Sequence, residues 1–275
     1  MRLLGHRLSG GAAVGFAIIL ANIVAISFAR WIAPYGEADL VGDVWAPPSG
    51  ADWLGLDNLG RDMFSRLLFG GQTSVSLALL ITALSFSLGI VMGFTAATTN
   101  RWIDAALSRL VDIIMAIPQL ILALMVLSVL GTSIPVLIGT IAILDSTRVF
   151  RLSRAVAMNI TVMEYVEAAR LRGEKLWWIM RREVLPNALP PLIAEFGLRF
   201  CFTLLFIASL SFLGLGVQPP EADWGSMVRD NATAINFGGI APLVPAAAIA
   251  LLTIGVNLVV DWFLSIHGRA HGEGA

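Results

Sequence analysis

The sequence has one lysine, one cysteine, two tyrosines and three histidines among its 275 residues, and only 13% of its side chains are charged. Each shortage excludes something. A soluble globule of this length needs about 25% charged residues to cover its surface with groups that water accepts. A lone cysteine, Cys201, rules out a disulfide framework and any multi-cysteine metal centre. Lys175, the single lysine, does not close a Gly-x-x-x-x-Gly-Lys-Ser/Thr loop, so the chain carries no phosphate loop of its own. No nucleophile, histidine and acid stand together as a hydrolase would need them. With 18 basic residues against 19 acidic, a net charge of -1 offers nucleic acid nothing to bind.

What the sequence does have is apolar length. Hydrophobic residues make up 57% and the mean hydropathy is +0.81, which excludes disorder and points to the bilayer. A membrane helix needs about 20 mostly apolar residues, at about 1.5 Å each against roughly 30 Å of hydrocarbon. Six runs qualify: 12–29, 74–98, 110–130, 134–150, 191–215 and 242–264. Arg30, Trp31 and Pro34 close the first without a small-residue cleavage site, so it is expected to stay as a span. The fourth is the shortest and carries Asp145 and Arg148. The expected fold class is an all-α polytopic membrane protein with six transmembrane helices.

Basic residues near the span ends orient the chain. With both termini cytoplasmic, the inner segments hold Arg101 and the cluster from Arg151 to Arg182, while Arg61, Arg66 and Arg229 lie outside. Trp31, Trp102, Trp224 and Trp262 are expected at the interfaces, where amphipathic rings settle. Three parts follow: an N-terminal span and outer segment (1–73), a transmembrane domain (74–265) containing a cytoplasmic loop (151–187), and a tail (266–275). Within the first part, 58–68 reads as a short amphipathic helix, with Met63, Phe64, Leu67 and Leu68 on one side. Either it rests on the outer leaflet or it lines the outer mouth. The acidic stretch before it is a solvated surface or a contact for a soluble partner.

The loop is the most informative segment. From Met163 to Arg172 it reads as a short helix, with Tyr165, Val166, Ala169 and Leu171 apolar and Glu164, Glu167, Arg170 and Arg172 polar. Gly173 ends it as a C-cap does. A second amphipathic stretch, from Lys175 to Val184 and with Leu176, Trp177, Ile179 and Met180 apolar, stops at Leu185-Pro186. Small side chains at Ala168 and Ala169 let another surface come close. On physics alone this elbow is either an interfacial helix on the inner leaflet or a docking surface for a cytoplasmic partner.

Glu167-Ala168-Ala169, then Gly173, then Leu185-Pro186, resembles the EAA loop of permease subunits in binding-protein-dependent ABC importers. Gly55, Asp57, Gly60-Arg61-Asp62, Ser65-Arg66 and Gly70 are similar to the signature before span two in the dipeptide, oligopeptide and nickel permeases, C-type subunit. The stretches Leu185-Pro186-Asn187-Ala188-Leu189-Pro190-Pro191 and Ser209-Leu210-Ser211-Phe212-Leu213-Gly214-Leu215-Gly216 continue the match, with Gln218-Pro219-Pro220 and Trp224-Gly225. Gln72, Asn100-Arg101 and Asp145-Ser146 depart from the pattern.

The resemblance implies a type I ABC importer permease, itself not an enzyme, in the bacterial inner membrane. Implied partners are a homologous permease subunit forming a heterodimer, two ATPase subunits that hold ATP and Mg, a periplasmic substrate-binding protein and membrane lipid. No cofactor is implied in this chain. The ATPase-coupling residues would be Glu164, Tyr165, Glu167, Ala168, Ala169, Arg172, Gly173, Leu185 and Pro186. Peptides, opines, sugar conjugates and nickel complexes all fit as cargo.

Charges inside a membrane are costly and usually face a cavity or a partner. Asp112, Asp145, Arg148, Glu195, Arg199 and Asp261 stand in or near the spans. Glu195 and Arg199, four apart, are expected to pair. Asp145 and Arg148 are a candidate pair on a translocation path, with snorkelling to the interface as the alternative. A stand-alone secondary transporter or channel would use such groups as proton relays, and a scaffold would use the elbow for a partner that is not an ATPase. His267 and His271 have helical metal-ligand spacing but sit in a glycine-rich tail that reads as frayed. Cys201 reads as a packing residue.

Overall fold

The computed structural model describes residues 2–3, 6–7, 9–50 and 52–272, with side chains for 9–50 and 52–266. At the N-terminus Arg2–Leu3 and His6–Arg7 pair as two antiparallel strands of two residues each. All other regular structure among the described residues is helical. Eleven α-helices follow: α1 Gly10–Ser27, α2 Ala29–Ile32, α3 Met63–Thr98, α4 Arg101–Met115, α5 Gln119–Leu130 and α6 Ile134–Thr161, then α7 Glu164–Leu171, α8 Leu176–Ile179, α9 Leu185–Phe212, α10 Trp224–Asn231 and α11 Leu243–Gly272. Among the described residues four segments are long and apolar enough to cross a membrane: α1, α3, Leu176–Phe212 (a continuous stretch) and α11. A fifth crossing exists if α4 and α5, bent 84° at their junction, count as one broken span. The remaining long helix, α6, has 28 residues, about 42 Å. Asp145, Arg148, Arg151 and Arg154 make it too polar to count by composition, yet it lies against α3 along its length.

Several expected boundaries move, each for a local reason. The third run is not one helix. Pro118 offers no N–H and disfavours helical geometry at Ile117, so the chain breaks there and leaves an α5 of 12 residues, about 18 Å, too short to span alone. The fourth run extends eleven residues past Phe150, because Leu152, Val156, Ala157 and Ile160 keep giving α6 an apolar side to pack. The loop expected over 151–187 shortens accordingly. Leu185-Pro186 does not end the second amphipathic stretch. A π turn, Met180–Val184, carries it straight into α9, with the Leu185 N–H bonded to the Met180 carbonyl five residues back. The wider turn and a position in the first turn of α9 accommodate Pro186.

The expected outer helix over 58–68 is also absent as a separate element. Asp62 caps α3, accepting from the Ser65 N–H at 2.7 Å and its hydroxyl at 2.6 Å. Met63 therefore opens a single 36-residue helix, about 54 Å long. The helix continues through Gly70 and Gly71 without a break, so the division at residue 73 falls inside it.

Two apolar clusters hold the bundle. One, around Ile81, Leu127, Ile141, Leu204, Ile207 and Met227, joins α3, α5, α6, α9 and α10. The other, around Phe86, Val149, Ile160, Val166, Ile179 and Leu192, joins α3, α6 and α9 to the elbow. The first span, α1, stands aside against α11, where Phe16 meets Trp262 edge-on at 5.8 Å. Trp262 and Trp224 are 7% and 2% exposed, so their rings face the protein; of the four expected at the interfaces, Trp31 and Trp102 are exposed. Trp224 instead donates its indole N–H to the Leu67 carbonyl at 2.9 Å.

Residues 33–50, 52–62 and 213–242 form one cap over the end of α3. Asp57, fully buried, accepts from Arg61 Nε at 2.7 Å and lies 3.2 Å from Arg66 Nε. Asn231 Oδ1 accepts from the Asn58 N–H at 2.9 Å and from the Trp45 indole at 3.3 Å. The acidic stretch is thus partly structural rather than a purely solvated face.

Candidate functional site

The elbow is built from α7, a glycine turn and α8. Met163, extended, precedes α7, and Glu164 and Glu167 lie in its first turn, where the helix dipole favours them. At Gly173 φ is +79°, and an added Cβ would meet nothing within 4 Å, so the glycine answers to backbone conformation and not to crowding. The buried side is narrower than the sequence suggests. Val166 and Ala169 are fully buried, and Ile179, Met180 and Val184 follow them into the second cluster. Tyr165 and Leu171, expected on that apolar face, are 41% and 83% exposed.

The exposed side therefore combines Glu164, Tyr165, Glu167, Ala168, Arg172 and Gly173 with Leu171 and, across the turn, Trp177 at 66% exposure. Leu185 is partly buried and Pro186 exposed where α9 begins. The result is a rigidly seated knuckle with apolar and small side chains outward. Leu171 and Trp177 are open on the same elbow as the exposed small residues Ala168 and Gly173.

The second feature is a cleft where α4 breaks into α5. The Asp145 side chain is buried, and its two oxygens accept from Gln119 Nε2 at 2.7 Å and Thr203 Oγ1 at 2.8 Å. Asp145 thus ties α5 and α9 to α6. Arg148, expected as its partner, is exposed instead, and among the described residues no carboxylate oxygen lies within 4 Å of its guanidinium. The spacing of three residues brings them to one region of α6 without joining them. Gln119 and Thr203 carry no sequence signal beyond being polar inside apolar runs; Gln119 directly after Pro118 was the readable hint.

The other intramembrane charges are mostly accounted for. Glu195 and Arg199 pair at 2.6 Å, with the guanidinium 4.7 Å from the Phe202 ring centre. Asp112 is exposed and pairs with Arg151 at 2.8 Å. Arg154 Nη2 donates to Asp104 Oδ2 at 2.6 Å, fastening the start of α4 to α6. Both α4–α6 pairs escaped the sequence reading, because nothing in the spacing shows which helices meet. Asp261 is exposed on α11. Cys201 is buried, as a packing residue would be. His267 and His271 lie on α11, with side chains outside the described residues; among described residues no acidic, histidine and cysteine group could hold a metal.

A polytopic helical membrane protein with a knuckle seated on its bundle and a polar cleft among its helices has the makings of a transport permease. The comparisons agree. Residues 85–270 match the family model described as binding-protein-dependent transport system inner membrane component, and the chain belongs to that family. It is 31% identical over 253 residues to the glutathione transport system permease protein GsiD of Pectobacterium atrosepticum, covering 90% of this chain and 84% of that protein. It is 34% identical over 258 residues to the di/tripeptide transport system permease protein DppC of Pseudomonas aeruginosa, covering 91% and 85%. A crystal structure of an amino acid ABC transporter with histidines superposes with a TM-score of 0.53 at 21% identity, covering 74% of this chain and 94% of that one. The last likeness concerns the fold alone. The protein is a multi-pass inner-membrane permease subunit of the ABC transport class.

Proposed function

We propose that this chain is one half of a heterodimeric importer for peptides or closely related solutes, with its termini and elbow in the cytoplasm. Two ATPase subunits, holding ATP and Mg, grip the elbow through Glu164, Tyr165, Glu167, Ala168, Arg172 and Gly173, while Ala169, buried, seats the elbow against the bundle and does not meet them. Leu185 and Pro186 join that elbow to α9. A periplasmic binding protein delivers the solute to the outer cap, and closure of the ATPases swings α3, α6 and α9 against the second permease. Relatives named for glutathione and di/tripeptide transport favour the peptide class.

The observation that carries the reading is the knuckle itself: Leu171 and Trp177 exposed on one side, Val166 and Ala169 sealed into the bundle on the other. An ordering force applied outside reaches the spans through the second cluster. The test is affinity purification of the tagged chain in mild detergent from its native host, beside the Gly173→Asp variant. Recovery of a second permease and an ATPase with the wild type, and loss of the ATPase with the variant, is the expected result. A chain recovered alone that moves a solute in vesicles without ATP overturns the proposal.

A further inference from the structure

We propose that Arg148 holds the carboxylate of the transported solute inside the membrane, a role that rests on the importer reading above. Position makes the first half of the case. Val149, the next residue, abuts Gly89 of α3. Gly89 lies about 14 Å from the last residue of α3, within a stretch, 67–100, that has no charged side chain at all. Arg148 therefore stands beside an uncharged stretch of α3, more than two turns in from the end of that helix. It is also exposed, and among the described residues no carboxylate oxygen lies within 4 Å of it. A cation so placed faces a water-filled path or an anion that comes from elsewhere.

The cleft around it makes the second half. A space of about 160 Å³ is bounded by Gln119, Thr147 and Arg148 on its polar side and by Ile117, Pro118 and Leu144 on its apolar side. That is below the roughly 300–1,000 Å³ of a site that encloses a whole small ligand. It fits one end of a solute whose remainder lies in the shared pathway. A guanidinium binds a carboxylate through two parallel N–H donors. Asp145 is buried and turned towards Gln119 and Thr203, and it makes no ion pair with Arg148. Gln119 is at once held by Asp145 and part of the cleft wall, so the acid fixes the wall while the arginine stays free for cargo.

The probes are dialanine, which ends in a carboxylate, and dialanine amide, which does not. Saturation-transfer NMR would follow each with the chain and its co-purifying subunits in nanodiscs, without binding protein, so that protein's own selectivity does not enter. Dialanine is expected to bind the wild type at least about tenfold more tightly than the amide. Arg148→Gln should abolish the preference, and Arg148→Lys should keep part of it. Recovery of the same subunits with each variant checks assembly. In parallel, Arg148→Cys in a Cys201→Ala background should react with a membrane-impermeant thiosulfonate. Equal binding of both probes, a preference that survives Arg148→Gln, or a cysteine at 148 sealed from water would each overturn the proposal. An Arg148 engaged by an acid of the second permease would show as the first or the last of these. Failure of the importer reading is seen elsewhere, in a wild-type chain that brings down no ATPase.

Discussion

At the scale of single residues, Asp145 shows how this protein tolerates a carboxyl group among its spans. The group is 4% exposed, yet both oxygens have donors, one from α5 and one from α9. Removing a single donor leaves a buried oxygen without water or protein to bind it, which costs about 1–3 kcal/mol and more if the group is charged. Thr203→Val keeps the shape and removes the hydroxyl. It is expected to destabilise the detergent-solubilised protein by about 1–3 kcal/mol, measured by denaturant titration, while Thr203→Ser stays near wild type. An unchanged midpoint for Thr203→Val would mean that the Asp145–Thr203 bond contributes nothing.

At the scale of elements, the pairing of α3 with α6 depends on close backbone approach. A Cβ on Gly89 would lie 2.5 Å from Val149 Cβ and 2.8 Å from the Ser146 carbonyl oxygen. No rotamer relieves a clash with backbone, so Gly89→Ala should cost about 1–3 kcal/mol through forced separation of the helices. Gly139→Ala, on the same α6 but with nothing within 4 Å of its Cβ, gains helix propensity by about 0.8–1 kcal/mol. Opposite shifts in the thermal midpoints of the two variants would support the packing account; a matching shift would sink it.

Apolar run length made α1, α3, α9 and α11 legible in the sequence, because each needs only its own composition to declare it. The break at Pro118 was hidden, since Ile117 and Leu120 kept the run hydrophobic on both sides. The extension of α6 past Phe150 was hidden too, because its apolar stripe there depends on where the elbow packs. Tyr165 and Leu171 were misplaced for a related reason. With only eight residues in α7, periodicity fixes the buried side to little better than one position, and the bundle chooses Val166 and Ala169.

At the scale of the whole molecule, the second apolar cluster is what joins the elbow to the spans. Val166 of the elbow shares that cluster with Phe86 of α3, Val149 of α6 and Leu192 of α9, so these four elements move together or the cluster opens. Two charge insertions separate seating from docking. Val166→Asp puts an unpaired carboxylate into a fully buried position, which costs about 3–5 kcal/mol and should unseat the elbow. Ala168→Asp, on the exposed side, should leave the elbow seated and spoil only the surface presented to a partner. Both variants are expected to lose ATPase recovery in purification. Only Val166→Asp should expose the backbone near Arg170, Arg172 and Lys175, read as faster tryptic cleavage there in detergent. Rapid cleavage of both, or of neither, would mean that the elbow is not the separately anchored lever its packing describes. Cleavage of the first alone, with ATPase lost from both, would locate transmission in the anchored side and recognition in the exposed one.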